Sequence, residues 1–538
     1  RGGLGLQGVV VRRLAGDDVE VNEEWNCDKG RWAFKYATAA DRLTEPMIRD
    51  ESGELRVASW PEALAAAAAG LQGKRSGVLV GGRATVEDAY GYSKFARVTL
   101  GTNDIDFRAR VSSDEEREFL AARVVGSSTT YRDIDRADSV LLVGFEPEEE
   151  SPIVFLRIYK QVRKRALKVT AIASKLSRGN EKLKANFVCV VPGVEAAVIA
   201  GQELTANSVI LVGERAAESR GALSAVAALA DRTGAKLAWI PRRAGERGAL
   251  AAGAIGNLLP GGRPVVDAPA RVDIAAAWGV DSLPTAVGRS SSEIFAAVNA
   301  GEIDALVVGG VDPLDSENHH AALIALKQAF VVSLDIRPSA ITQLADVLLP
   351  VAAVSEKSGS CLNWEGRARS FETAVADSLQ RCDLRILSML ADEMGRPIEL
   401  ATVKAAAQEL AALGLWDGAH ANFAPVSSAA PQSVSGNEAL LTSWRRLLDD
   451  GSLQEGEENL AGTARKPVVV ISPKRASALG VVDGDTIRVS NSHGAIVLPV
   501  LVEAIHDDAV WLPRNSRGSH LLATFGVASG ALVTVVKD

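Results

Sequence analysis

Cysteine is scarce in this chain, with four residues in 538: Cys27, Cys189, Cys361 and Cys382. They lie far apart and form no paired spacing, too few for a disulfide framework at this length, which points to a reducing compartment. Histidine is absent before His319, so nothing close to Cys27 in sequence completes a zinc site of the Cys/His type. No apolar run approaches the ~20 residues that span a bilayer. The longest, 63–70 and 344–354, suit a buried helix and a strand, so no direct membrane insertion is expected. The first residues have the pattern of neither a secretory signal nor a transit peptide. An excess of positive charge is lacking too: the formal charge is −8, which argues against nucleic acid as a partner.

What is present is an apolar content of 47%, ordinary for a globular protein, over a length that suggests about three or four domains. From residue 77 a unit recurs, in which a short apolar run ends in glycine or a polar residue and leads into a helical segment. Instances run over 78–81, 139–144, 169–173, 209–213, 237–240, 306–310 and 331–335. Apolar strands alternating with helices imply parallel sheets covered on both faces. Their number exceeds one ordinary sheet, so two α/β domains are expected. Ser59 and Glu62 have capping-box spacing ahead of an alanine-rich helix running to Leu71, and Gly73 suits its end. Thr85 with Asp88, and Ser151 ahead of Pro152, mark further helix starts. The basic run 157–168 reads as the solvated face of a helix.

Short strands are expected at 9–13, 18–22 and 55–58. Gly3, Gly5 and Gly8 have G-x-G-x-x-G spacing, but a β-branched run follows where a helix is needed, so this is a chance match. Between 416 and 466 the composition turns to Pro, Ser, Ala and acidic residues around a helix at 438–448, which reads as a surface linker. After it, strands alternate with turn signals at Asp483-Gly484 and His493-Gly494, the pattern of a small closed barrel.

Three stretches carry a resemblance. Residues 22–32 (NEEWNCDKGRW) resemble the end of the iron–sulfur segment of the molybdopterin oxidoreductase superfamily. Residues 344–367 (LADVLLPVAAVSEKSGSCLNWEGR) are similar to its ADVVLP…EK.G...N.EGR stretch, and 471–490 (ISPKRASALGVVDGDTIRVS) to its C-terminal dinucleotide-binding barrel. Within the superfamily, 140–157, 239–250 and 257–265 resemble the actinobacterial type of the G subunit of NADH-quinone oxidoreductase, respiratory complex I. The resemblance implies an α/β, molybdopterin-oxidoreductase-like fold. Residues 1–58 would be a remnant of an iron–sulfur-binding β domain. A first α/β domain would join 59–118 with 336–415, and a second would span 119–335. A linker at 416–466 would lead to a double-psi-type β-barrel of the molybdopterin-dinucleotide-binding kind at 467–538. It also implies a peripheral-arm subunit on the cytoplasmic side of the plasma membrane. That subunit contacts the other hydrophilic subunits of a redox-driven proton pump that carries electrons from NADH to quinone.

For the site, the resemblance sets Cys27 at the last of four [4Fe–4S] ligands. Residues 1–26 hold no cysteine, and one thiolate cannot hold the cluster. Cys27 is thus a ligand only together with three upstream cysteines, and otherwise a half-buried free thiol. Lys29 matches the lysine between cluster and pterin; the alternative is a structural cation paired with Glu23 or Glu24. Ser112 falls where active members ligate molybdenum, but 114–118 would bring carboxylates near an anionic pterin. Ser174-Lys175-Leu176 stand where active members often have Asp-Pro-Arg for a guanine. Asn363, Glu365, Gly366 and Arg367 match the pterin pocket; alternatively Glu365 and Arg367 hold a loop against the barrel, with Trp364 as packing. Asn515 and His520 face the old cleft or solvent. The expectation is a non-catalytic scaffold with a vestigial pterin site and no cofactor in this chain as it stands. A [4Fe–4S] cluster would be present only with the upstream cysteines, and molybdopterin is not expected. The alternatives are an active formate-dehydrogenase-type molybdenum enzyme using Ser112, and a module that binds a nucleotide in the cleft.

Overall fold

The computed structural model describes residues 10–16, 18–376 and 378–538; Gly3, Gly5, Gly8 and Val9 lie outside them. Two open sheets and a barrel make up the frame. The first sheet has the order Leu55–Val57, Met47–Arg49, Val347–Pro350, Phe330–Asp335, Ala305–Gly309, Ser76–Val80, Ile105–Asp106. Its last five strands are parallel, and Met47–Arg49 runs antiparallel to both its neighbours. The second sheet is parallel throughout, in the order Asn186–Cys189, Lys168–Ala173, Ser139–Val143, Val209–Gly213, Lys236–Ile240. Central strands such as Ser76–Val80, Ala305–Gly309 and Val209–Gly213 are buried at every residue. That is why they read as unbroken apolar runs rather than alternating ones.

The expected grouping of 119–335 into one domain does not follow the strand pairing. Ala305–Gly309 and Phe330–Asp335 join the first sheet, where Ala305 pairs with Ser76 and Val332 with Val347. The second sheet is complete within Ser139–Ile240. The linker is also shorter than expected. Glu438–Trp444 is a strand, not a helix, and it closes the barrel Glu438–Trp444, Ala509–Pro513, Val469–Ile471, Ala495–Val502, Thr486–Ser490, Leu532–Lys537. Residues 439–444 are all buried, so packing on both faces overrides the helix propensity of Glu, Ala and Leu.

At the start, Leu55–Val57 is a strand, but Asp18–Asn22 is a turn in which the Val21 amide donates to the Asp18 carbonyl at 3.0 Å. Residues 10–13 form no strand. The helix Trp60–Leu71 begins at Ser59, whose hydroxyl accepts from the Glu62 amide at 3.3 Å. Glu62 does not reach back; it pairs with Arg56 at 2.6 Å. The basic run lies on Pro152–Arg165, with Arg163 and Lys164 exposed and Arg157 buried against Asp135 at 3.1 Å. Among the described residues no helix is long and apolar enough to cross a membrane.

Candidate functional site

Charged side chains follow the strands of both sheets at their carboxyl ends. Arg83 comes after Ser76–Val80, Glu214 after Val209–Gly213, Arg242 and Arg243 after Lys236–Ile240, and Asp315 after Ala305–Gly309. This is the edge at which open α/β sheets hold ligands. Arg445 and Asp449 follow the barrel strand Glu438–Trp444, and Lys29 comes from the N-terminal helix Asp28–Trp32.

These groups meet as one ladder of alternating charge. Lys29 Nζ lies 2.5 Å from Asp449, which also takes Arg445 at 3.1 Å. Arg445 bridges to Asp315, and Asp315 to Arg243 at 2.9 Å. Arg243 reaches Glu246 at 3.3 Å, Glu246 takes Arg110 at 3.0 Å, and Arg110 pairs with Glu116 at 2.8 Å. A branch runs from Arg110 to Glu214 at 3.4 Å and on to Arg242 at 3.3 Å. Behind it, Arg108 is shared between Asp106 at 2.9 Å and Glu116 at 3.4 Å.

Burial works to raise the Asp449 carboxyl, yet Lys29 and Arg445 beside it hold it well below the usual carboxylate range. Glu214 is held low in the same way by Arg110 and Arg242. At Glu116 burial wins over Arg110 and Arg108, and the carboxyl is pushed up. Gly82 makes room for the ladder: a Cβ there would lie 2.2 Å from Cδ of Arg243.

The expected site residues fall into separate places. Lys29 enters the ladder through Asp449, not through Glu23 or Glu24; Glu23 instead pairs with Lys160. Cys27 Sγ accepts from the Gly30 amide at 3.3 Å and caps Asp28–Trp32. Among the described residues no group of three or more His, Cys, Asp or Glu could hold a metal ion. Ser112 adjoins Ser113, which caps the helix Asp114–Phe119 by accepting from the Glu116 amide at 3.1 Å. The nearby carboxylates are engaged: Glu116 in the ladder, and Glu115 on the amides of Gly221 at 2.8 Å and Ser224 at 2.7 Å.

Asn363 folds the loop behind it by accepting from the amides of Glu365 at 3.1 Å and Arg367 at 2.9 Å, with Gly366 at φ 82° where other residues are strained. The loop is held against the second α/β domain and the N-terminal segment, not against the barrel. Glu365 accepts from the Tyr131 amide at 3.0 Å, Trp364 packs edge-on to Tyr131 at 4.8 Å, and Arg367 pairs with Glu20 at 3.1 Å. Lys175 bonds Glu503 at 2.8 Å and lies over the rings of Trp444 and Trp511 at 5.8 and 5.5 Å. It borders a crevice at the ends of the second sheet of about 50 Å³, lined also by Glu146, Glu195, Arg215 and Glu218. Asn515 and His520 bond each other at 2.9 Å on the barrel surface, and His520 reaches Asp450 at 3.3 Å.

Sequence reasoning missed Arg83, Arg110, Arg242, Arg243, Glu246, Asp315 and Arg445. The available signal was positional, since several of these charges stand directly behind an apolar run, as in WIPRR at 239–243.

Comparison with known proteins agrees with this geometry. Residues 42–393 match the family "Molybdopterin oxidoreductase", and 440–535 match the "Molydopterin dinucleotide binding domain". Acetylene hydratase from Pelobacter acetylenicus has the same fold at a TM-score of 0.62 and 14% identity, over 94% of this chain and 93% of that one. The class is therefore that of the molybdopterin oxidoreductases. Within it, the chain is 52% identical over 98% of its length to the G subunit of NADH-quinone oxidoreductase from Mycobacterium bovis, covering 68% of that relative. To the corresponding protein of Streptomyces coelicolor it is 47% identical, with the same coverage. The chain belongs to the family of NADH-quinone oxidoreductase G subunits.

Proposed function

We propose that the chain is a structural subunit in the peripheral arm of a membrane-associated NADH-quinone oxidoreductase, where it joins the other hydrophilic subunits on the cytoplasmic side. In this reading it supports electron transfer from NADH to quinone coupled to proton translocation, and it holds no molybdopterin itself. The charge ladder across the cleft is the observation that carries the reading. A pterin bound at this edge of the sheets would meet Arg243, which is packed over Gly82. Its anionic groups would then lie against the buried carboxylates of Glu116, Glu214 and Glu246. That is unfavourable in a poorly solvated cleft, and these residues do not fit the group. Ser174 stands where the resemblance puts the acidic residue that would accept from a guanine, and Lys175 beside it is bonded to Glu503. Cys27 belongs in the same reading to a [4Fe–4S] cluster only alongside three further thiolates.

Metal and pterin analysis of the purified chain tests this. Molybdenum far below one per chain is expected, and stoichiometric molybdenum with extractable pterin would overturn the proposal. Within an assembled enzyme, Ser112→Ala is expected to leave NADH:quinone turnover unchanged.

A further inference from the structure

Residues 18–25 and the helix Pro152–Arg165 enclose an open groove of about 510 Å³ that shares no residue with the charge ladder. Ile153, Leu156 and Tyr159 reach it from the helix at three-residue spacing, on one face, and Val21 and Trp25 form the opposite wall. Two of the four cations that line it hold these walls together. Arg157 donates to the carbonyls of Glu20 and Val21 at 2.5 and 2.9 Å, while Lys160 takes Glu23. The other two are left over: Arg163 and Lys164 are exposed and, among the described residues, make no ion pair. Arg163 lies over the ring of Tyr159 at 5.8 Å, and that ring stacks on Phe155, so the guanidinium is propped at the rim. Trp25 is 60% exposed beside it. With four cations against one carboxylate, Glu23, this is a basic groove on a chain of net charge −8.

We infer that this groove is a docking surface for an acidic, amphipathic segment of a neighbouring hydrophilic subunit. The inference rests on the reading of the chain as one subunit of a larger enzyme. Lys160 and Lys164 stand four residues apart on the helix, ~6 Å along its axis, with Arg163 beside them. Such a row matches carboxylates spaced along a chain, whereas a small ligand needs a few polar groups converging on one point. In the docked state Arg163 and Lys164 donate to carboxylates of the segment, and an apolar side chain enters between Trp25 and Leu156. Complementary charge steers such a partner and fixes its register, while covering Trp25 and Leu156 supplies affinity. Tryptophan and arginine are also the residue types on which interface energy concentrates. A flat lipid surface offers nothing to fill the groove.

The test is photo-crosslinking in the assembled enzyme, with p-benzoylphenylalanine in place of Trp25 and the product identified by mass spectrometry. A crosslink to an acidic stretch of another subunit is expected. Arg163→Glu combined with Lys164→Glu sets like charges against each other and is expected to lower the yield at least about tenfold. Arg163→Gln combined with Lys164→Gln, which removes charge without reversing it, is expected to fall between. Both side chains are exposed, so the purified variants should keep the parent's melting midpoint. Exchanging the carboxylates of the crosslinked stretch for lysine is expected to restore the yield in the Glu variant. A crosslink confined to this chain, to a second copy or to lipid overturns the inference, as does an undiminished yield in the Glu variant. Copurification keeps the two readings apart. An enzyme that contains the chain but gives no such crosslink sinks the groove alone, whereas an NADH-quinone oxidoreductase that assembles without the chain sinks the proposed function.

Discussion

A methyl group at residue 82 has nowhere to go, because its position lies 2.2 Å from Cδ of Arg243. Gly82→Ala is therefore expected to push Arg243 off both Glu246 and Asp315 and to cost about 2 kcal/mol, the range for overpacking with a lost charged contact. Urea denaturation measures it, and a change below about 0.5 kcal/mol would show that the arginine moves aside freely. A second residue-scale expectation concerns Glu146, in the crevice of the second sheet. Burial, with Glu150 and Glu148 nearby and only Arg215 and Ser177 opposing, pushes its carboxyl up to about 7. A carboxyl raised on folding resists ionisation that the unfolded chain accepts, so stability falls as pH rises from about 4.5 to 7. Glu146→Gln should thus match the parent near pH 4.5 and exceed it above pH 7, by roughly 3 kcal/mol at most. Melting midpoints across pH 4.5–8 decide; a gap that does not grow with pH would mean that Glu146 ionises freely in the folded chain.

Among the elements, the hairpin of Gly359–Leu362 with Ala368–Phe371 is tied down both at Ser360, whose amide and hydroxyl donate to Glu87 at 2.8 and 2.7 Å, and at its loop. The Glu365 side chain is 2% exposed and takes both Arg367 and the Tyr131 amide. Glu365→Ala is expected to leave global stability within about 1–2 kcal/mol but to raise amide exchange across 359–371 and 131–136, because local opening is governed by local ties. Unchanged exchange there would mean that Trp364 against Tyr131 suffices. The strands of these sheets were legible in the sequence because a doubly covered parallel strand is apolar at every residue. Their partition into sheets was not. Ala305 pairs with Ser76, far back in the chain, and nothing local to either strand encodes the choice. Glu438–Trp444 was misread because short runs of Ala and Leu suit helix and buried strand alike. In the site, Lys29 and the 363–367 loop were legible as positions but not as contacts: Asp449, which holds Lys29, lies 420 residues away.

For the whole molecule, the ladder is a joint. Lys29 of the N-terminal segment, Asp315 behind the first sheet, Glu214 and Arg242 behind the second, and Arg445 and Asp449 behind a barrel strand are tied into one buried network. Removing one partner from such a network costs more than the pair is worth, because the remaining charges stay buried without compensation. Asp449→Asn strands Lys29, leaves Arg445 with Asp315 alone, and is expected to destabilise the chain by about 3 kcal/mol at pH 7. Its carboxyl is depressed in the folded state, so the stability it supplies is fully present above the unfolded value near 4 and drains away as pH falls below it. The gap between Asp449→Asn and the parent should therefore hold constant from pH 7 to 5 and narrow by roughly 1 kcal/mol by pH 3. Denaturant midpoints at these three pH values decide between charge and shape. A gap that stays the same at pH 3 would mean that Asp449 acts by filling space and that the ladder's charges do not hold the parts together.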